Sequence, residues 1–196
     1  MKVLHIAEFG KRANGIGTVV ERLQKEQILL GHDVRIITIA ENIAYRHLDL
    51  KTCRTGKELQ SYIKVWRPDA VLFHSIWAMP YICFAKVLRR CNIPYAVMMH
   101  GADSKINRQS SPLKKWIANT LWFDNFMKKA SAIVYLSQTE MANCLSSKNN
   151  KNNFNILSCV HSLKRCGFGC EVEYLIVKAL SKRSYRGKKR CDCLSS

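Results

Sequence analysis

The chain has 196 residues, of which 47% are hydrophobic and 23% charged, and this composition excludes a globally disordered protein. Lys and Arg outnumber Asp and Glu by 32 to 14, which gives a formal net charge of +18. Such a surplus favours anionic partners, namely phosphorylated ligands, nucleic acid or an anionic membrane surface. The segment from Ser158 onward carries +6 of this charge, and the remainder is spread along the main body.

The N-terminal segment lacks the features of a secretory signal, because the apolar run that starts at Val3 is followed at once by Glu8 and polar residues. No apolar run approaches the roughly 20 residues of a membrane-spanning helix. We therefore predict a cytoplasmic protein with reduced thiols. The positive charge leaves open a peripheral position at the inner face of the membrane.

The chain begins with a strand, a glycine-bearing loop and a helix. Residues 3–7 form an apolar run that predicts a buried strand, and the polar segment 10–17 follows it. Apolar residues then recur at helical spacing until Gly31, which is placed as a C-cap. The β-branched run 34–39 predicts the second strand.

The same alternation continues to about residue 145. The pattern predicts strands over 70–74, 95–100 and 132–136, and helices over 59–66, 79–90, 113–127 and 139–145. Nearly continuous apolar strands indicate burial on both faces, as in a parallel sheet. We therefore predict an α/β fold with a Rossmann-like, doubly wound, mainly parallel sheet of five strands over residues 1–147.

The alternation ends in a polar Asn/Lys-rich stretch. We predict that residues 148–196 form a linker followed by a basic, Cys-rich extension that is irregular and poorly ordered. Five potential zinc ligands lie there: His161, Cys166, Cys170, Cys191 and Cys193. Their spacing does not match the paired C-x2-C pattern of zinc ribbons, so no metal site is predicted.

The loop after the first predicted strand contains Gly15, Ile16 and Gly17. Glycines at this point let a ligand approach the backbone, and a helix N-terminus favours an anion such as a diphosphate. The alternative is that they only form a tight turn. The pattern lacks the third glycine of a dinucleotide-binding loop, which argues against a nicotinamide dehydrogenase.

The fourth predicted strand ends in His100, Gly101, Ala102 and Asp103. In open α/β sheets ligands bind beyond the carboxyl ends of the strands. His100 and Asp103 could there bind sugar hydroxyls, and one of them could serve as a base or charge partner. The alternative is a simple turn capped by Asp103. His5 and His74 occupy strand positions and are interpreted as core residues, with His74 close enough to the strand end to reach a cleft.

Six segments occur in the order found in one enzyme family: 2–6, 14–17, 31–34, 67–71, 94–101 and 130–137. Together they resemble the N-terminal domain of the family 4 retaining glycosyltransferases, which have the GT-B fold. The resemblance implies transfer of a sugar from a nucleotide sugar to a saccharide or lipid-linked acceptor in surface polysaccharide or lipopolysaccharide synthesis. The nucleotide sugar is then a substrate, and neither a cofactor nor a metal is expected.

The resemblance also implies roles for individual residues. Gly15, Ile16 and Gly17 correspond to the loop that faces the donor phosphates, and His100 corresponds to the histidine near the reacting sugar. The resemblance further implies that this N-terminal domain is the acceptor side and that a second domain binds the sugar nucleotide. The family's donor-binding domain carries two glutamates separated by seven residues. No pair among the eight glutamates of this chain has that spacing.

The donor-binding domain is therefore expected to be missing, and we expect little or no transferase activity from this chain alone. The abrupt change of composition after the Asn/Lys-rich stretch suggests a shifted reading frame. The alternative function is a non-enzymatic basic module that binds nucleic acid or an anionic membrane. It explains the charge of +18 but not the ordered strand-end segments, so nucleic acid is not the expected partner.

Overall fold

The computed structural model describes residues 1–9, 15–40, 45, 47–102, 123–144 and 153–155. Within these ranges seven strands form one sheet, and every neighbouring pair is parallel. The strands are β1 (Lys2–Ala7), β2 (Asp33–Thr38), β3 (Leu50–Thr52), β4 (Ala70–His74), β5 (Tyr95–Met98), β6 (Ala132–Tyr135) and β7 (Asn153–Asn155).

Five helices accompany these strands in the described ranges. They are α1 (Gly15–Leu29), α2 (Gly56–Trp66), α3 (Met79–Arg90), α4 (Asp124–Lys129) and α5 (Gln138–Asn143). None of these helices is long and apolar enough to cross a membrane. Most of the helix predicted over 113–127 lies outside the described residues, as do Asp103 and residues 156–196.

The strand order is β3-β2-β1-β4-β5-β6-β7, which confirms the predicted Rossmann-like α/β fold. The direction of winding reverses between β1 and β4, and a reversal of this kind opens a crevice at the carboxyl ends of the two strands. The sheet has seven strands where five were predicted, because β3 and β7 were not expected. Strand β7 also lies beyond residue 147, where the predicted domain ends.

Side chains of β4 alternate between two hydrophobic clusters, which shows that the sheet is covered on both faces. Val71 and Phe73 pack in the larger cluster with residues of α2 and α3, whereas Ala70 and Leu72 pack with Leu23 of α1. The larger cluster is rich in aromatic rings. The Phe73 ring meets the rings of Tyr95 and Phe126 edge to face, with centroids 5.5 Å and 5.2 Å away.

At the amino edge of the sheet, residues from three separate segments contact one another. The Trp66 indole donates to Asp33 Oδ2 at 2.9 Å, and the Arg35 guanidinium lies 4.9 Å from the centroid of the Trp66 ring. The Lys2 amide donates to Asp69 Oδ2, and the Asp69 amide donates back to the Lys2 carbonyl, both at 2.8 Å. These contacts fix where β1, β2 and β4 begin.

Candidate functional site

The carboxyl ends of the three central strands lie side by side. In the register of the sheet Ala7 is opposite His74, and His74 is opposite Met98. The loops after β1, β4 and β5 therefore leave the sheet next to one another at the switch point. The two predicted site segments, Gly15–Gly17 and the segment that starts at His100, both follow strands that end at this edge.

Two residues at this edge have left-handed backbone conformations that non-glycine residues rarely adopt. Ser75, directly after β4, has φ 74°, and His100, shortly after β5, has φ 49°, with Gly101 at φ 71° beside it. Left-handed non-glycine residues cluster at ligand-binding and catalytic sites, where the surrounding contacts hold them. These left-handed residues lie where the chain leaves β4 and β5.

Three histidines and a glutamine form a continuous chain of hydrogen-bonding contacts into the core. His100 Nε2 lies 2.9 Å from His74 Nδ1, and His74 Nε2 lies 2.8 Å from His5 Nδ1. His5 Nε2 lies 2.8 Å from Gln27 Oε1, on the buried face of α1. His5, His74 and Gln27 are fully buried, whereas His100 is only half-buried. The interpretation of His5 and His74 as hydrogen-bonded core residues is thus confirmed, and His74 also reaches His100.

Burial keeps all three rings neutral at physiological pH. Desolvation lowers the pKa of His5 to about 4, against a smaller opposing effect of its hydrogen bond to Gln27. Desolvation likewise lowers the pKa of His100 to about 4. The pKa of His74 lies well below its usual value because of desolvation first and its two histidine neighbours second. At neutral pH the His100 ring is therefore available for hydrogen bonding as an uncharged imidazole.

Two aromatic side chains that follow β4 donate hydrogen bonds to backbone carbonyls, one at the end of β4 and one shortly after β5. The Tyr81 hydroxyl donates to the His74 carbonyl at 3.2 Å, and the Trp77 indole donates to the Ala102 carbonyl at 2.7 Å. Burial, and to a smaller extent the nearby Glu8 carboxylate, raises the pKa of Tyr81, so that its hydroxyl stays protonated and can donate. The ring of Trp77 also packs edge-on against Phe123.

Glu140 is a site residue that the sequence analysis missed. Its carboxylate accepts from the amide of Gly101, next to His100, and from the amide of Leu136 at 2.6 Å. Ser137 caps the same helix, α5, by accepting from the Glu140 amide at 3.0 Å. The carboxylate therefore ties the His100 loop to the end of β6. The Ser-x-x-Glu spacing of a capping box was a usable signal for it.

The three residues predicted to face the donor phosphates differ in their surroundings. Gly15 is the first residue of α1 and is exposed, and no atom of another described residue lies within 4 Å of the position a Cβ would take. Ile16 packs against the cluster around Phe9. Gly17 is buried, and a Cβ there would overlap the ring of Tyr45. Close backbone approach of a ligand is thus open at Gly15, whereas Gly17 is required for packing.

The remaining predicted site residue, Asp103, lies outside the described residues. In the described part of the chain, no group of three His, Cys, Asp or Glu side chains is arranged to hold a metal ion. The site as described therefore consists of the half-buried His100 ring, the buried polar chain behind it, and the exposed start of α1.

The overall geometry is shared with proteins of known structure at low sequence identity. A UDP co-structure of S. aureus MnaA superposes with a TM-score of 0.57 at 14% identity, covering 79% of this chain and 43% of that one. An alpha-glucosyltransferase in complex with UDP-glucose and DNA gives a TM-score of 0.56 at 16% identity, covering 79% and 42%. UDP-GlcNAc 2-epimerase from Neisseria meningitidis, bound to UDP-GlcNAc, gives 0.54 at 14% identity, covering 96% and 55%.

The chain thus spans less than half the length of the first two of these proteins. No curated protein sequence matches it. A model of one protein family, the glycosyl transferase 4-like domain, matches residues 14–153, which include five of the seven described strands, β2 to β6. The resemblance noted from the sequence is confirmed by this match and by the shared sheet: the chain belongs to the glycosyl transferase 4-like domain family, and its fold is that of a GT-B glycosyltransferase N-terminal domain.

Proposed function

We propose that this domain takes part in the transfer of a sugar from a nucleotide sugar to a saccharide or lipid-linked acceptor. The observation that carries the proposal is the His100 imidazole, half-buried at the carboxyl edge beside the switch point and held from behind by His74. Ligands of doubly wound sheets bind at this edge. The family match supports glycosyl transfer as the reaction.

The geometry supports a division of roles between two parts of the edge. The exposed N-terminus of α1 at Gly15 suits the diphosphate of the donor, because a helix N-terminus carries partial positive charge. The neutral His100 ring suits an uncharged sugar hydroxyl. We assign Asp103 a second polar contact to the same sugar. The UDP and UDP-sugar ligands of the similar structures are consistent with a nucleotide at this edge.

The expected reaction retains the configuration at the sugar. Catalysis of this kind gains most from groups that stabilise the charge of the leaving diphosphate. His100 is neutral and cannot supply that charge, so it would position the sugar while other groups face the diphosphate. We propose surface polysaccharide or lipopolysaccharide synthesis as the pathway, with contact to an anionic membrane face through the net charge of +18.

A titration of the ¹⁵N-labelled chain with UDP-glucose, UDP-GlcNAc and a GDP-sugar tests this assignment. We expect amide shifts at Gly15 and Gly101 with at least one of these donors. The His100→Ala variant should bind about 5- to 10-fold more weakly, because one hydrogen bond is worth about 1 kcal/mol. His32→Ala is the matched control, since His32 bonds to the chain terminus at the opposite edge.

Two results of that titration would overturn the proposal. The first is shifts confined to residues away from the carboxyl edge. The second is the absence of sugar-nucleotide binding together with salt-sensitive binding to anionic vesicles or nucleic acid. The second result would favour the basic-module alternative, whose binding is dominated by phosphate contacts and weakens steeply with salt.

A further inference from the structure

The chain of contacts from Gln27 to His100 constrains where the ring protons lie. A neutral imidazole carries one proton, so one ring nitrogen donates and the other accepts. His5 and His74 each use both nitrogens, and His100 uses Nε2. Because each ring-to-ring contact needs one donor and one acceptor, the state of any one ring decides the state of the next.

Only two collective arrangements satisfy all the ring contacts. If His5 is protonated on Nε2, its Nδ1 must accept, so His74 must donate from Nε2. His74 Nδ1 then accepts, and His100 must also donate from Nε2. The opposite choice at His5 places all three protons on Nδ1. The three rings therefore share one tautomer, whichever it is.

Gln27 selects between the two arrangements. Its carbonyl oxygen Oε1, which can only accept, lies 2.8 Å from His5 Nε2, so His5 donates from Nε2. The Gln27 Nε2 group is buried and has no hydrogen-bond partner among the described residues, so Oε1 is the amide atom that contacts the chain of rings. Burial lowers the pKa of all three rings, which disfavours a doubly protonated ring at neutral pH.

We infer that Gln27, His5 and His74 are positioning residues that lock His100 in the Nε2–H tautomer, so that its Nδ1 is an acceptor for a sugar hydroxyl. Nδ1 is the end of the chain, and no described residue bonds to it. A lone pair there attracts an O–H donor and repels a phosphate oxygen. The nature of the ligand rests on the proposed function, whereas the tautomer does not.

Two-bond ¹H–¹⁵N spectra of the full chain, labelled on its histidines, measure the tautomers directly at pH 7. The sequence has six histidines, and single His→Gln variants assign them. We expect His5, His74 and His100 each to carry its proton on Nε2. A proton on Nδ1 in any of the three rings, or a charged ring, would overturn the inference.

Replacement of Gln27 tests its selecting role. In Gln27→Met the acceptor is lost while the shape is nearly kept, and we expect a mixture of the two collective tautomers. Gln27→Glu restores an acceptor and should restore Nε2–H. Gln24→Met is the matched control, because Gln24 lies one turn earlier on α1 and donates to the Val34 carbonyl at 3.5 Å instead. An unchanged, pure Nε2–H state in folded Gln27→Met would show that Gln27 does not select it.

Two probes test the ligand class at His100. Methyl α-glucoside supplies hydroxyl donors, and inorganic phosphate supplies an anion. We expect the His100 Nδ1 resonance to move with the glycoside and not with phosphate; the reverse would refute the acceptor role. If no UDP-sugar binds while His100 keeps its proton on Nε2, the proposed function fails and the inference about the tautomer stands. If UDP-sugars bind but His100 carries its proton on Nδ1, the tautomer inference fails and the proposed function stands.

Discussion

At the scale of single residues, the position of His100 depends on contacts that are distant in sequence. Glu140 reaches across 39 residues to the Gly101 amide, and His74 reaches across 26 residues to His100. The sequence identified His100 from its place at a strand end, which is a local feature. The capping-box spacing could mark Glu140 as a residue of a helix start, but neither its contact with Gly101 nor the three-ring chain follows from spacing along one element.

We predict that Glu140→Gln destabilises the protein by about 1–3 kcal/mol. The neutral amide group offers one acceptor oxygen in place of two, so the amide of Gly101 or of Leu136 loses its charged partner. Urea denaturation measures the loss. Glu21→Gln is the control and should change stability by less than about 0.5 kcal/mol, because Glu21 pairs only with the exposed side chains of Lys25 and His47 among the described residues. Equal effects of the two variants would contradict the positioning role of Glu140.

The two glycines at the start of α1 should respond differently to a methyl group. Gly17→Ala places a Cβ against the Tyr45 ring, which itself packs on Phe9, so we expect a loss of about 1–3 kcal/mol in thermal denaturation. Gly15→Ala meets no atoms and should leave stability within about 0.5 kcal/mol. If Gly15 faces the donor diphosphate, Gly15→Ala should instead weaken UDP-sugar binding. A stable Gly17→Ala would show that packing does not require that glycine.

At the scale of elements, whether a strand could be predicted from the sequence depended on how much of that strand is buried. Strands β1, β4, β5 and β6 are buried almost throughout, so their sequences are nearly continuous apolar runs. Strand β3 has only three residues, none of them fully buried, and β7 has the sequence Asn-Phe-Asn. Strands this short and polar leave no periodic signal, and their pairing at the two sides of the sheet decides their conformation.

The histidine chain joins β1, β4 and the end of β5, and it makes this part of the sheet sensitive to acid. In the folded state His5 and His100 have pKa values of about 4, whereas an unfolded histidine titrates near 6.5. Between these values the unfolded chain binds more protons, so stability falls as the pH drops. We expect a loss of roughly 2 kcal/mol for each of the two rings between pH 8 and pH 5.

Urea midpoints at several pH values measure this dependence. The His5→Gln variant should have a shallower dependence between pH 6.5 and pH 4, even though it is less stable overall at neutral pH. The exposed His47 provides the control, since His47→Gln should keep the wild-type profile. A flat wild-type profile across this range would show that the buried rings do not titrate between the two states.

At the scale of the whole molecule, the segments that carried the family resemblance divide between two edges. The segments at 31–34 and 67–71 supply Asp33 and Asp69, which accept hydrogen bonds from Trp66 and Lys2 at the amino edge. The segments around Gly15 and His100 lie at the carboxyl edge. The fold was predictable because the segments of both edges occur along the chain in the order found in the family. The site was predictable only to the level of its strand ends.

We predict that a chain ending at residue 155 still unfolds cooperatively, with a thermal midpoint within a few degrees of the full chain. The seven strands of the described residues all end at or before residue 155. The truncation removes +6 of the net charge, so salt-sensitive binding to nucleic acid should weaken if the basic-module alternative holds. UDP-sugar binding should be retained if the carboxyl edge holds the donor. A noncooperative unfolding curve would show that the later residues belong to the folded unit.

The central place of β1 in the strand order has a consequence for biosynthesis. Its partner β4 is more than sixty positions further along the chain, since Val3 pairs with Ala70. Synthesis proceeds at about 5–20 residues per second, so the edge of β1 that pairs with β4 stays unpaired for several seconds after it leaves the ribosome. During that interval the nascent strand is open to pairing with other chains, so shielding by a chaperone would matter most before the first half of the polypeptide has been translated.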